Sequence, residues 1–426
     1  MKLDMKVNHL PVLTWNKLKL NDADVKAEFS GELPAYTFYA SGLSEGVEIK
    51  TDVTADEVKK MSEGLKIDNK REAYVAGKYP TYAKQQFATG MGVEIDELFE
   101  SNNVLTDVIT VADNVSAKEP LLLHFSSTAA EKDELLAGWK TEIDENDEDA
   151  DLDPDSVKSF AGKKMEALKK SEKPLFAQLI VVGENSEVTI ALDFTSDDES
   201  TELIGISTRL YLKKGAKVKF VKIQRAGNKT LVLNDTGAIE EEYAQLDYAK
   251  LELGGEKTYT GVYSALNGKK SIFYFDCGFF VNEKRILDGN FVATQRGRET
   301  DAKMFFKGVL ADEAQKVFRE TIDMRLGSEG SLGDEQEDSL LLGDNVINKA
   351  MPIILCEEEK VEARHGATIG KISDEMLFYM QTRGIEKVEA EKMIVRGKLN
   401  DVSRKIPDDG LSALVRSKIE EGFKNL

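Results

Sequence analysis

The chain is poor in the residues that carry most covalent and metal chemistry, with two cysteines and three histidines among 426 residues. Cys277 and Cys356 cannot build a disulfide framework, and a reducing, cytoplasmic setting is the simplest home for such a chain. No run of about eighteen apolar residues occurs, so no membrane-spanning helix and no membrane partner are expected. The opening MKLDMKVNHLPVLTW lacks the apolar stretch of a secretory signal. Positive charge is also short: 57 Lys and Arg stand against 77 Asp and Glu, a net charge of -20. The basic residues are scattered, which argues against nucleic acid as a partner. No Gly-x4-Gly-Lys-Ser/Thr loop is found, so ATP hydrolysis would have to come from another chain.

What is present is β-pattern. Residues 1–103 read as a helical region, with Thr54 to Leu65 carrying Val58, Met61 and Leu65 behind an N-cap. From Val104 the character changes, and 104–360 reads as a β-rich core. Between Leu175 and Leu355 lie runs such as LFAQLIVV, EVTIALDF, KVKFVKIQ and KSIFYFDCGFF, parted by Gly, Asn and Lys turns. Almost no helical pattern intervenes, which disfavours a doubly wound α/β fold. Sandwich, barrel and solenoid remain, and the repeated turn-to-strand texture favours the solenoid. The acidic stretch at about 141–156, with EIDENDEDADLDPD at its centre, reads as a solvated insertion. It contains no Gly for the sharp turn of a calcium loop. Residues 361–426 read as helical again. Ser373 starts one helix that stops near Gly384, and Glu386 starts another that stops near Gly397. Pro407-Asp408-Asp409 precedes a third, with Leu411, Leu414, Val415 and Ile419 at i, i+3, i+4, i+8.

The segment from His365 to Val402 closely resembles the C-terminal signature of the SufB/SufD family. The matching residues are His365-Gly366-Ala367-Thr368, Leu377-Phe378-Tyr379, Arg383-Gly384-Ile385 and Glu389-Ala390. EDSLLLGD, from Glu337 to Asp344, and Pro352 fit the approach to it. The resemblance implies a right-handed parallel β-helix core with helical N- and C-terminal regions. It implies a non-catalytic scaffold of iron–sulfur cluster assembly, paired with a SufB-like paralogue and docking a SufC-like ATPase; a homodimer in isolation is a further expectation. Docking candidates are Leu377, Phe378, Tyr379, Arg383, Leu411 and Leu414. The alternative is a β-helix carbohydrate-active enzyme, but no privileged carboxylate pair stands out for that chemistry.

Two positions point to the SufD branch of the family. Glu337 stands where SufB-like chains carry a sulfur-accepting Cys, and a carboxylate cannot hold a persulfide. Gly366 follows His365 where SufB-like chains have Glu. The resemblance makes His365 the candidate for a metal or cluster interface, since imidazole suits iron. No cofactor is expected to be bound stably; iron or an iron–sulfur cluster would be transient and shared with the SufB-like partner. Ala363 stands where SufD chains often have a Cys. Cys277, in an apolar strand, reads as an inert core residue. Cys356 precedes three glutamates, a setting that weakens a ligating thiol. His9 and His124 read as structural.

Overall fold

The computed structural model describes residues 1–11, 16–67, 85, 87–127, 166–198 and 201–423. The acidic insertion at 141–156 lies outside them. Four strands come first: β1 (Lys2–Val7), β2 (Ala23–Glu28), β3 (Tyr36–Ser41) and β4 (Val47–Val53). Two helices follow, α1 (Ala55–Ser62) and α2 (Val93–Ser101), then β5 (Thr106–Val111), β6 (Leu121–Ser126) and β7 (Glu166–Ser171). Among the described residues, 1–103 hold four strands beside two α-helices, where the sequence predicts a helical region. The reason is local: β1 alternates exposed and buried side chains and pairs antiparallel with β2. The α1 reading holds, with a capping box in which Thr54 and Glu57 bond each other's backbone N–H.

Seven turns of parallel β-helix follow, two strands to a turn. One sheet takes β8 (Leu175–Val182), β10 (Glu202–Leu212), β12 (Thr230–Glu240), β14 (Lys257–Leu266), β16 (Ile286–Gln295), β18 (Gln315–Met324) and β20 (Ile347–Cys356). The facing sheet takes β9 (Glu187–Thr195), β11 (Lys217–Arg225), β13 (Gln245–Glu252), β15 (Ile272–Val281), β17 (Asp301–Ala311), β19 (Leu332–Leu342) and β21 (Glu362–Gly370). β21 falls in the segment expected to be helical.

Each strand pairs in parallel with its counterpart one turn on, so side chains of successive turns stack in files. A left-handed residue recurs at one corner of successive turns: Asn185, Gly215, Tyr243, Lys270, Glu299 and Gly330, with φ from 54° to 80°. Their amides bond the next turn's carbonyls, as in Tyr243 N–H to Lys269 O at 2.9 Å. Interior files hold aromatic rings: Phe291 lies 5.5, 4.8 and 4.9 Å from Phe275, Phe306 and Phe318.

The N-terminal end of the solenoid is covered, because β4 pairs antiparallel with β5, and β3 pairs antiparallel with both β6 and β7. A strap from the N-terminal region crosses the outer face of one sheet. Asn290 donates to Gly90 O at 2.6 Å, and Asp235 accepts from Met91 N–H at 2.9 Å. Gly90 permits this contact, since a Cβ there would stand 2.0 Å from Val262 N.

On the other sheet sit α3 (Asp374–Thr382), α4 (Lys387–Ser403) and α5 (Asp409–Gly422). α4 runs through Gly397 rather than stopping there. Leu399 and Val402 beyond it are buried against Leu251, Val309 and their neighbours, and that packing outweighs the glycine's cost of about 1 kcal/mol. Asp408 caps α5 through Leu411 N–H at 2.9 Å.

Candidate functional site

Among the described residues, the last turn differs from all others in having no strand above it. β20 and β21 are the outer strands of their sheets, and β21 is exposed along its whole length. An outer strand presents unpaired N–H and C=O groups, a template for another chain's strand. Ile347 and Ile369 on these strands are 42% and 45% exposed, and Pro352 sits where an edge position tolerates a missing donor.

His365 lies on β21. Register places it in file with Glu335 on β19, Met304 on β17 and Phe275 on β15. Met304 and Phe275 belong to the interior core, so His365 stands on the inward-facing side of the open turn, exposed only because no further turn covers it. Cys356 ends β20 in file with the interior Met324. Its Sγ–H donates to Glu358 O at 3.0 Å.

Directly beneath lies a group that sequence reading missed. Glu320, Glu335 and Glu337 are buried inside the β-helix with Lys316. Lys316 Nζ is 2.7 Å from Glu337 Oε1, and Ser339 and Asn348 also donate to that oxygen. Burial pushes the Glu337 carboxyl up, but Lys316 and these donors outweigh it, and the group stays below its usual range. Glu320 and Glu335 face each other. As two carboxylates they would have no donor between them; a proton held by one supplies it. Burial first, then the charge of Glu337, pushes Glu320 up to about 8. Burial and the facing Glu320 drive Glu335 well up. The signal was available in principle: Glu335, Glu337 and Ser339 alternate along one strand at positions that face the core. This pair is a privileged carboxyl pair, but it is enclosed rather than set in a cleft.

The remaining candidates separate into two groups. On α3, Phe378 and Tyr379 are 69% and 58% exposed, with Met376 at 50%. Arg383 caps the helix and lies 5.2 Å from the Tyr379 ring centre, while Leu377 is half-buried. Leu411 and Leu414 correct the expectation. Leu411 is 4% exposed in a cluster with Phe280, Leu253 and Val415, and the half-buried Leu414 packs on it. They are core that seats α5 on the sheet, not a docking face. Cys277 is buried within the solenoid, and burial drives its thiol well up. His124 is buried with Asp193 at 2.7 Å, and His9 bonds Glu94 at 3.0 Å.

Among the described residues, no group of three or more His, Cys, Asp or Glu can hold a metal ion. His365 is a single imidazole on the open strand. No described helix is long and apolar enough to cross a membrane.

Residues 169–398 match the family described as SUF system FeS cluster assembly, SufBD core domain. The chain belongs to the SufBD family. It is 25% identical over 240 residues to a chloroplastic iron–sulfur cluster assembly SufBD family protein of Arabidopsis thaliana, covering 54% of this chain and 43% of that one. It is 23% identical over 265 residues to the iron–sulfur cluster assembly protein SufD of Bacillus subtilis (60% and 59% covered). Against SufD of Escherichia coli the identity is 22% over 246 residues, with 56% of each chain covered. The chain thus spans about half the length of the curated relatives it matches.

Proposed function

We propose that this chain is a SufD-type, non-catalytic scaffold subunit of cytoplasmic iron–sulfur cluster assembly. In this reading the open end of its β-helix pairs with a SufB-like paralogue, and α3 docks a SufC-like ATPase. The observation that carries it is the asymmetry of the solenoid: one end is covered by antiparallel strands, while β20 and β21 stand open with His365 on the inward face. Iron or a cluster is then cargo. His365 contributes one imidazole, and the partner supplies the other ligands. Glu337, held by Lys316, occupies the place where a SufB-like chain carries its Cys, so sulfur acceptance falls to the partner.

Co-purification with SufB-like and SufC-like chains under reducing, anaerobic conditions tests this. The tagged chain is expected to retain both. Ile369→Glu, a charge on the open strand, should release the SufB-like chain and keep the SufC-like one. Phe378→Ala should do the reverse. Retention of neither partner by the unmodified chain would sink the proposal.

A further inference from the structure

What lies under the His365 imidazole is unlike what lies beside it. On the inward face of β21 its neighbours along the strand are Ala363 and Ala367, which offer no polar side chain. Arg364, next in the chain, points to the outer face and pairs there with Asp334 at 2.7 Å. Pro352, on β20, stands over Glu320 and has no N–H to give. Beneath His365, in file on β19, is Glu335. Partners in neighbouring strands stand about 4.8 Å apart, so a carboxyl turned up along the file reaches a ring nitrogen above it.

Glu335 is free to do so. It is 0% exposed, and neither of its oxygens has a donor among the described residues. The proton shared with Glu320 occupies one oxygen. Whichever of the two carboxyls carries that proton, the second oxygen of Glu335 is left as an acceptor. Glu337 cannot take this part. It stands under Ala367, two residues along, and Lys316, Ser339 and Asn348 gather on its Oε1.

We infer that Glu335 is the positioning residue for His365: one ring N–H donates to it, which leaves the other nitrogen bare and turned out of the open end. A carboxylate behind the ring commonly holds a ligating imidazole in this way. Without such a hold the neutral ring divides between two tautomers, and only one of them turns its lone pair outward. The inference rests on the reading of His365 as a ligand to cargo shared with the SufB-like chain, and adds what makes its lone pair available.

The test is 15N NMR of the full chain labelled at histidine, at pH 8, above the ordinary imidazole value of about 6.5. The signals lost in His365→Gln identify the ring. One tautomer is expected to dominate. Glu335→Met keeps the volume and removes the acceptor, and should shift the tautomer ratio about tenfold, the worth of one hydrogen bond to a carboxyl. Glu320→Gln takes away the facing carboxyl but leaves Glu335, and should keep the unmodified ratio. An even mixture in the unmodified chain, or an unchanged ratio in Glu335→Met, overturns the inference; the first result needs no variant to fold. On the complex with a SufB-like chain, Glu335→Met should also weaken cluster retention ~10–100-fold. His365→Ala separates the two claims: full cluster retention in that variant would remove the ligand reading, while the tautomer ratio judges the Glu335 contact on its own.

Discussion

At the scale of single residues, the enclosed Glu320–Glu335 pair makes a claim about pH. Glu320 moves from an ordinary value of 4.5 to about 8 in the folded chain. The folded state therefore holds a proton that the unfolded state releases. The stability this contributes is present in full below about pH 4.5 and lost as pH rises towards 8. Glu320→Gln keeps the shape and removes the titration. It should change little at pH 5 and stabilise the fold at pH 8 by on the order of 4 kcal/mol, read from urea unfolding at both values. An equal effect at the two pH values would show that Glu320 is ionised throughout. The alternation of Glu335, Glu337 and Ser339 hints at a shared face, but which of the 77 acidic residues meet across the interior is not legible in the sequence. Only the registers of β18 with β16 and β20, and of β19 with β17 and β21, single them out.

At the scale of elements, the C-terminal helices divide the labour that their sequence blurs. Leu411 and Phe378 are both apolar and both on short helices. One is buried on the solenoid and the other is exposed on α3. Leu411→Ala should destabilise the chain by ~2–4 kcal/mol through lost burial and the space left behind. Phe378→Ala should change Tm little, by less than the equivalent of ~0.5 kcal/mol, while affecting a partner. Scanning calorimetry on the isolated chain separates the two. The i, i+3, i+4, i+8 stripe correctly marks an apolar face of α5, but a stripe does not say what it faces. Likewise Gly397 is a fair stop signal that tertiary packing overrode.

At the scale of the whole molecule, the solenoid is a stack in which each turn contacts only its neighbours. Its interior files make the middle turns the most costly to disturb. Phe291 touches rings from three other strands. Phe291→Ala should cost ~3–5 kcal/mol, measured by denaturant unfolding, and shift amide-exchange protection most in β14 to β18. A loss of protection confined to the ends would mean that the central aromatic file is not what binds the turns. The openness of the last turn belongs to this scale too, since an edge exists only relative to the strands that are absent beside it.

The sequence by itself determined the β-rich core, its helical C-terminal segment and, through the residues from His365 onward, the family. Those are local signals: side-chain alternation, turn residues, caps and a contiguous motif. The solenoid's period stayed hidden because the left-handed corner recurs in space while its occupant changes, from Asn185 through Tyr243 to Glu299. Residues of several kinds are accepted there once the next turn supplies the carbonyl for their amide. The tertiary structure alone decided that Leu411 is core, that Glu337 meets Lys316, and that His365 stands at an open end. Each depends on which distant strands become neighbours, and no window along the chain contains that information.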